Sequence, residues 1–157
     1  MSAIAYPTTV GSDIPTSERA IRDFEQQYGV RLPKVYVGFL LMTNGGRPNK
    51  LAYPIEGLAE NPLGDVDFFM GLAPQSETFD LRRYLDIFAG RIPADFVLVG
   101  VNGGVDYICL DLRDGGERVV FWDHAHFWST GEWREGDLYF IANSFQEFLT
   151  SLRPNPY

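Results

Sequence analysis

The stretch IRDFEQQYGVRLPKVYVGFLLMTNGG, residues 21–46, predicts two short helices joined by a tight turn. Ile21 and Phe24 begin an apolar stripe at helical spacing, and Gly29 can end that helix in the left-handed conformation. Pro33 has no N–H to leave unpaired, so it suits the start of the second helix. We expect this second helix to end at the Asn-Gly-Gly run that closes the stretch. The stretch therefore predicts an N-terminal helical hairpin.

Capping residues predict where further helices begin. Thr16 is expected to cap the first helix, with Glu18 near the positive end of its dipole. Ser144 and Glu147 form the S-x-x-E pattern of a capping box, in which each residue satisfies a backbone donor of the other. They predict a C-terminal helix, and a third helix is expected within 78–90 from its apolar stripe. The apolar side of the C-terminal helix is expected to consist of Phe145, Phe148, Leu149 and Leu152.

The segments between these helices predict strands. Residues 50–73 are expected to form strands interrupted by turn residues. The segments 96–101, 107–112 and 118–123 are separated by two turns that each contain Gly-Gly. Short apolar runs separated by such turns are typical of antiparallel hairpins, so these three segments predict a meander.

Composition predicts one domain that covers residues 1–157, with residues 1–14 as a loose N-terminal leader. The net charge of −8 argues against a nucleic-acid binder and against a protein of anionic membrane surfaces. Cys109 is the one cysteine, so no intramolecular disulfide can form. The N-terminal residues contain no basic segment followed by an apolar run, and no segment has the length of a membrane span. These features predict a cytoplasmic protein.

The stretch VVFWDHAHFW, residues 119–128, contains both histidines and raises the possibility of a metal site. In an extended strand His124 and His126 would point to the same face, which is one way to begin a zinc or iron site. A third ligand would have to come from Cys109 or from a distant carboxylate such as that of Asp111 or Glu132. Because the ligand count is short, we predict no metal. We expect His124 to make a hydrogen bond at a strand end while Trp122 packs in the core.

Other catalytic arrangements are also missing from the sequence. Cys109 lies between apolar neighbours in a predicted inner strand, where a thiol usually behaves as a small buried hydrophobe. No G-x-S-x-G motif is present, and neither Asn-Gly-Gly run lies between a strand and a helix as a phosphate-binding loop would. We therefore predict that the protein is not an enzyme and needs no cofactor.

Four motifs in order resemble the SUKH superfamily, which is named in part for a fungal regulator of cell-wall assembly. The first is the hairpin itself, written I-x-x-F-E-x-x-x-G-x-x-L-P-x-x-Y-x-x-F-L-x-x-x-N-G-G. The resemblance covers about residues 16–152. The later motifs are Gly104 with the strand residues 108–111, the tryptophan–aspartate–histidine strand 120–124, and the closing helix that begins with 144–149.

The resemblance implies an α+β domain in which a mostly antiparallel sheet is flanked by helices. It also implies a non-enzymatic function. Bacterial members are mostly thought to be immunity proteins that bind and block polymorphic toxins, often nucleases, whereas fungal relatives act as interaction scaffolds. Leu51–Leu72 and Phe127–Leu138 match no family pattern, so these segments are where a specific toxin would be recognised. Asp123 and His124 are not explained by packing alone, and they could line a groove on the sheet.

The first hypothesis is therefore an immunity protein whose cognate toxin domain is a basic nuclease. Exposed acids and aromatics outside the core pattern would make the contacts. A general protein-interaction or regulatory scaffold without a toxin is the alternative, and a metal or small-ligand protein using His124 and His126 is the third reading. The expected contact residues are Asp65, Asp67, Asp106, Asp111, Asp114, Glu117, Trp128 and Glu132.

Overall fold

A seven-stranded sheet and five helices form the protein in a computed structural model that describes residues 6–7, 9–10, 14–58, 63–74 and 76–156. Short 3-10 turns lie at Glu77–Phe79, Arg113–Gly115 and Glu135–Asp137. In chain order the helices and strands are β1 (Thr9–Val10), α1 (Glu18–Tyr28), α2 (Lys34–Thr43), β2 (Arg47–Pro48), β3 (Leu51–Pro54), β4 (Leu63–Phe69), α3 (Leu81–Ile87), β5 (Phe96–Asn102), β6 (Asp106–Asp111), β7 (Arg118–Trp122), α4 (Ala125–Thr130), β8 (Leu138–Ala142), α5 (Phe145–Ser151) and β9 (Arg153–Pro154).

The large sheet has the order β8-β7-β6-β5-β4-β3-β9, and every neighbouring pair is antiparallel. The sheet curls so far that the segment after β3 reaches edge strand β8. The backbone N–H of Glu56 donates there to the carbonyl oxygen of Phe140 at 2.9 Å. The predicted α+β class is confirmed, as is the meander, which is formed by β5, β6 and β7. The third predicted helix is α3.

The N-terminal hairpin is formed by α1 and α2. Ser17, not Thr16, caps α1, because Ser17 is extended and its Oγ accepts a hydrogen bond from the N–H of Ala20 at 3.1 Å. The Thr16 prediction was therefore wrong by one residue. Gly29 ends α1 with a φ of 66°, as predicted. The turn is held by the Glu25 carboxylate, which accepts from the N–H of Leu32 at 2.8 Å.

The structure describes residues 6–7, 9–10 and 14 of the predicted loose leader. Thr9–Val10 pairs with β2 in a separate two-stranded sheet, and the Thr9 hydroxyl donates to the carbonyl oxygen of Gly45. The ring of Tyr6 lies 6.4 Å from that of Phe39 in the core. Residues 1–5, 8 and 11–13 of the predicted leader lie outside the described residues.

Aromatic side chains of α2 and α5 fill the core against the sheet. The rings of Tyr36 and Phe145 are 4.9 Å apart in an edge-to-face arrangement, and Phe39 makes the same kind of contact with Phe69 on β4. The capping box of α5 is formed with one difference. The N–H of Glu147 donates to Ser144, but the carboxylate of Glu147 accepts from the residue before Ser144. Of the helices in the described part of the chain, none has both the length and the apolar character needed to cross a membrane.

Candidate partner-binding site

The strand predicted at 118–123 ends at Trp122, and helix α4 follows it. The Asp123 carboxylate accepts a hydrogen bond from the N–H of Ala125 at 3.1 Å, which stabilises the first turn of that helix. The metal hypothesis required both histidines on one face of an extended strand, and the structure places them beyond the end of the strand. Asp123 lies at the start of helix α4. Side chains two residues apart on a helix point in different directions, so the two rings are separated.

His124 is a buried histidine, 8% exposed, whose ring lies among five aromatic rings. Its backbone N–H donates to the Asp106 carboxylate at 2.9 Å, so the expected hydrogen bond at the strand end is made by the backbone. The ring itself has no hydrogen bond within the described residues, and its Nε2 is buried. Burial lowers the pKa of the imidazole despite the nearby Asp106, which favours the neutral ring. The neighbouring rings are those of Phe88, Tyr107, Trp122, Phe127 and Trp128.

His126 lies apart from His124, on the exposed side of α4. Its Nε2 is 3.2 Å from the Thr130 hydroxyl and 3.9 Å from the carboxylate of Glu132, which is exposed. Over the described ranges, no group of three or more histidine, cysteine, aspartate or glutamate side chains is placed to hold a metal ion. Cys109 is fully buried in the middle of β6, and burial raises the pKa of its thiol, which disfavours the reactive thiolate.

Two open clefts meet at His124, Tyr107 and Trp128, and we call the joined surface the His124 cleft. The first, of about 450 Å³, lies between α3 and α4. The second, of about 600 Å³, lies between α4 and the turn that joins β5 to β6. Because His124 and Tyr107 are held by the β6–β7 pairing and by the aromatic cluster, the floor of the cleft is built on the rigid sheet.

Three large apolar side chains project from the His124 cleft into solvent. Trp128 is 82% exposed, Val105 is 66% exposed and Ile87 is 47% exposed. They come from three different parts of the chain, namely α4, the β5–β6 turn and α3. A concentration of exposed apolar surface with a polar rim is typical of a protein-interaction site.

The two sides of the His124 cleft differ in charge. Arg83 and Arg91 line the α3 side, whereas Asp106 and Asp123 line the side of the β5–β6 turn. The Arg91 guanidinium lies over the ring of Phe127, 4.7 Å from its centroid. Burial raises the pKa of Asp106, although the hydrogen bond from the N–H of His124 acts in the opposite direction.

Of the eight predicted contact residues, Asp106 and Trp128 line this cleft. Asp65 lies at the same end of the sheet. Its backbone N–H donates at 2.7 Å to the side chain of Asn102, which is paired with Asp106 across the β5–β6 hairpin. Asp67 is further along β4 and forms an ion pair with Arg47, with an N–O distance of 3.1 Å.

Asp111 was expected to be an exposed acid, and that expectation was wrong. The residue is only 3% exposed, and its carboxylate accepts hydrogen bonds from Arg113 and Arg118. Arg113 also donates to Glu135 at 2.9 Å, so the group forms a network across the end of the sheet. Its position at the end of a buried strand explains the burial, and the two arginines that follow in the sequence supply the compensating charge.

The remaining acids lie away from the cleft. Asp114 and Glu117 are exposed and line a separate hollow of about 630 Å³ beside the α1–α2 turn. Asp106 and Asp111 are the two ends of β6, which at about 3.4 Å per residue places them about 17 Å apart. The structure therefore does not bring the eight residues into one acidic patch.

The cleft also contains residues that the sequence analysis did not select. Val105 directly follows the Asn-Gly-Gly turn, and a large apolar residue at a turn tip was a readable sign of an exposed contact. Ile87 lies outside the buried stripe of α3, which was a weaker sign. Arg83 and Arg91 had no signal of their own, because their proximity to His124 depends on how α3 packs on the sheet.

Comparisons with known proteins agree with this architecture. The sequence model of the SMI1 / KNR4 family (SUKH-1) matches residues 15–151. The chain is also similar to the SPbeta prophage-derived uncharacterized protein YokK of Bacillus subtilis (strain 168), with 28% identity over 160 residues that cover 91% of this chain and 77% of that protein. Because the family match extends from the cap of α1 to the end of α5, the chain belongs to the SMI1/KNR4 family (SUKH-1).

Proposed function

We propose that this protein is a non-enzymatic immunity protein that binds a cognate toxin domain and neutralises it by protein–protein contact. The family is generally one of immunity and regulatory proteins, which supports the class of function. The toxin would be met in the cytoplasm, where a cell must protect itself from its own toxin or from that of a neighbour.

The observation that carries the proposal is the exposure of Trp128 at the His124 cleft. An exposed tryptophan has a large apolar area that water solvates poorly, and this residue type is strongly enriched among binding hot spots. Val105 and Ile87 extend the apolar area on either side of it. A partner that covers all three would remove their exposed apolar surface from water.

The net charge of −8 supports a basic toxin domain. Opposite net charges accelerate association by long-range attraction, and salt weakens this effect. We expect Asp65, Asp67, Asp114, Glu117 and Glu132 to act through this field, because they are spread around the sheet instead of forming one contact patch.

The experiment is a co-purification of this protein with the C-terminal domain encoded beside its gene, taken as the candidate toxin domain, at low and high salt. We expect a one-to-one complex that abolishes the toxicity of that domain, with an association rate that falls as salt rises. If no complex forms with any neighbouring domain, the immunity proposal fails and the general interaction scaffold becomes the better reading. A complex whose association rate does not depend on salt would contradict electrostatic steering and leave the immunity proposal in place.

A further inference from the structure

The α3 side of the His124 cleft is locally basic on an acidic protein. Arg83 and Arg91 are among its lining residues, and no aspartate or glutamate is. The whole chain has 13 basic and 21 acidic residues. The charge at this position is therefore opposite in sign to the protein as a whole, and it is complementary to an anion.

Both arginines are available to a ligand. Arg91 is held over the ring of Phe127 and has no ion pair within the described residues. Arg83 has a single long ion pair with Glu77, at 3.9 Å between two exposed side chains, and such a pair contributes little. The contact of the Arg91 guanidinium with the Phe127 ring restricts the side chain, so binding a carboxylate costs less side-chain freedom.

The ring of His124 is the second sign that a polar ligand belongs in this cleft. It is more than nine-tenths buried, it lines both parts of the cleft, and it has no hydrogen bond within the described chain. Buried polar groups are nearly always paired, and an unpaired one in a cleft points to a missing partner. A bound carboxylate or amide would supply the hydrogen bond.

The neighbouring apolar residues indicate that the ligand is a protein segment and not a small anion. Trp128 and Ile87 flank the arginines and stay exposed. A free phosphate would leave this apolar area in water, whereas a segment with an acidic residue next to an apolar one would cover it.

We infer that the α3 side of the His124 cleft binds an acidic segment of the partner protein, in which a glutamate or aspartate pairs with Arg83 and Arg91 and an adjacent apolar side chain packs on Trp128. The inference rests on the proposed function and names the chemistry of its contact. A toxin domain that is basic overall would then present an acidic loop to this cleft.

The acids on the other side of the cleft set the direction of binding. Asp106 and Asp123 are engaged with the N–H groups of His124 and Ala125, at 2.9 and 3.1 Å. Their negative charge repels a carboxylate from the side of the β5–β6 turn, so the acidic residue of the segment belongs on the α3 side.

The first test uses the toxin domain encoded beside the gene and measures the affinity of charge-reversed variants by calorimetry. Arg91→Glu and Arg83→Glu are each expected to weaken binding about tenfold or more, because each places two negative charges in apposition. Arg19→Glu is the matched control, since Arg19 is an exposed arginine on α1 with no ion pair in the described chain, and it should leave the affinity unchanged.

The second test does not depend on the toxin. The peptide N-acetyl-Phe-Glu-Leu-amide is titrated into the protein and followed by NMR, with the Gln peptide and inorganic phosphate as separate probes. We expect the Glu peptide to shift the signals of the Trp128 indole and the Arg91 guanidinium with an affinity about tenfold above that of the Gln peptide. The shift of the Trp128 indole should persist in Arg19→Glu and disappear in Arg91→Glu.

The outcomes separate the two proposals. Toxin binding that Arg83→Glu and Arg91→Glu weaken no more than Arg19→Glu does overturns the acidic-segment inference and leaves the immunity function standing. Selective binding of the Glu peptide without any toxin complex supports the cleft chemistry and overturns the immunity function. Equal shifts from phosphate and the Glu peptide overturn the segment in favour of a simple anion site, and no shift from any probe overturns the inference as well.

Discussion

A polar side chain is buried at each end of strand β6, and only one of the two is hydrogen-bonded within the described chain. At one end the Asp111 carboxylate is 3% exposed and accepts hydrogen bonds from Arg113 and Arg118. At the other end, near Asp106, the imidazole of His124 is 8% exposed and has no hydrogen bond within the described residues. Of the large apolar side chains that are exposed in the described chain, Ile87, Val105 and Trp128 lie at the His124 end of the strand.

This difference distinguishes a buried group that stabilises the fold from one that is available to a partner. A buried charge that is fully paired within the chain is part of the fold, because removing any partner leaves an uncompensated charge. A buried polar ring that is unpaired, beside exposed apolar surface, contributes nothing to folding that an apolar ring would not contribute. We therefore expect substitutions at the Asp111 end to change stability and those at the His124 end to change partner affinity.

The largest effect is expected at Asp111. Asp111→Asn keeps the shape of the side chain but removes the charge that faces Arg113 and Arg118. It should lower the free energy of unfolding by about 3 kcal/mol, near the lower end for a broken buried pair because the two arginines are partly exposed. Urea unfolding followed by circular dichroism measures the change.

Asp114→Asn is the control for this prediction. It makes the same chemical change at an exposed position three residues away and should stay within about 0.5 kcal/mol of the wild type. The dissociation rate of the partner complex should be unchanged in both variants under conditions where they are folded, because the long-range charge of Asp114 acts on the association rate. A stable Asp111→Asn protein with weakened partner binding would reverse the comparison between the two ends of β6.

Lowering the pH should remove the stabilisation that the ionised Asp111 carboxylate provides. Burial raises the pKa of this carboxyl, but the hydrogen bonds from Arg113 and Arg118 together lower it by more, so the pKa lies below the usual value of 3.8. A group with a depressed folded-state pKa stabilises the protein above its unfolded pKa and loses that contribution as the pH falls through the folded pKa. The difference in unfolding free energy between wild type and Asp111→Asn should be constant at neutral pH and shrink below about pH 4. A difference that grows on acidification would contradict the pairing.

Trp128 is expected to have the next largest effect, on binding alone. Trp128→Ala should weaken the complex with the toxin domain by about 2 kcal/mol, or about thirtyfold in the dissociation constant. Its stability should barely change, because the side chain is 82% exposed. Met42→Ala is the matched control, since Met42 is also an exposed apolar residue but lies on α2, away from the cleft. Calorimetric titration of both variants decides whether the exposed tryptophan is a contact, and equal affinities would remove it from the interface.

The elements with local signals were predictable from the sequence, because their causes are local. Gly29 and Asn44 take left-handed conformations at the ends of α1 and α2, and Ser144 caps α5. Each effect depends on residues within one turn of the chain. The meander was predictable for the same reason, since its turns and its apolar runs are adjacent in sequence.

The site was less predictable, because its formation depends on packing between distant segments. Helix α4 was missed, since six residues rich in aromatics between a strand and a glycine also fit an extended strand. The burial of Asp111 follows from Arg113 and Arg118 folding back onto one carboxylate, which no spacing rule indicates. The exposure of Trp128 was predictable because an aromatic residue outside the core pattern is a local observation, whereas Arg91 reaches the cleft only through tertiary structure.

The smallest effect concerns two of the four buried side-chain polar atoms that have no hydrogen-bond partner in the described chain, and it tests the comparison most directly. The Tyr36 hydroxyl is buried in the core without a hydrogen-bond partner within the described chain, as is Nε2 of His124. Tyr36→Phe and His124→Phe each remove an unsatisfied polar group and keep an aromatic ring, so each should raise the free energy of unfolding by up to about 1 kcal/mol. Only His124→Phe should weaken binding of the toxin domain, because Tyr36 lies under α5 and away from the cleft. Thermal unfolding and calorimetric titration of both variants measure the two effects. A loss of stability in His124→Phe alone would mean that the imidazole is paired in solution and stabilises the fold. Both ends of β6 would then have a structural role, and the His124 end would not be distinguished by partner binding.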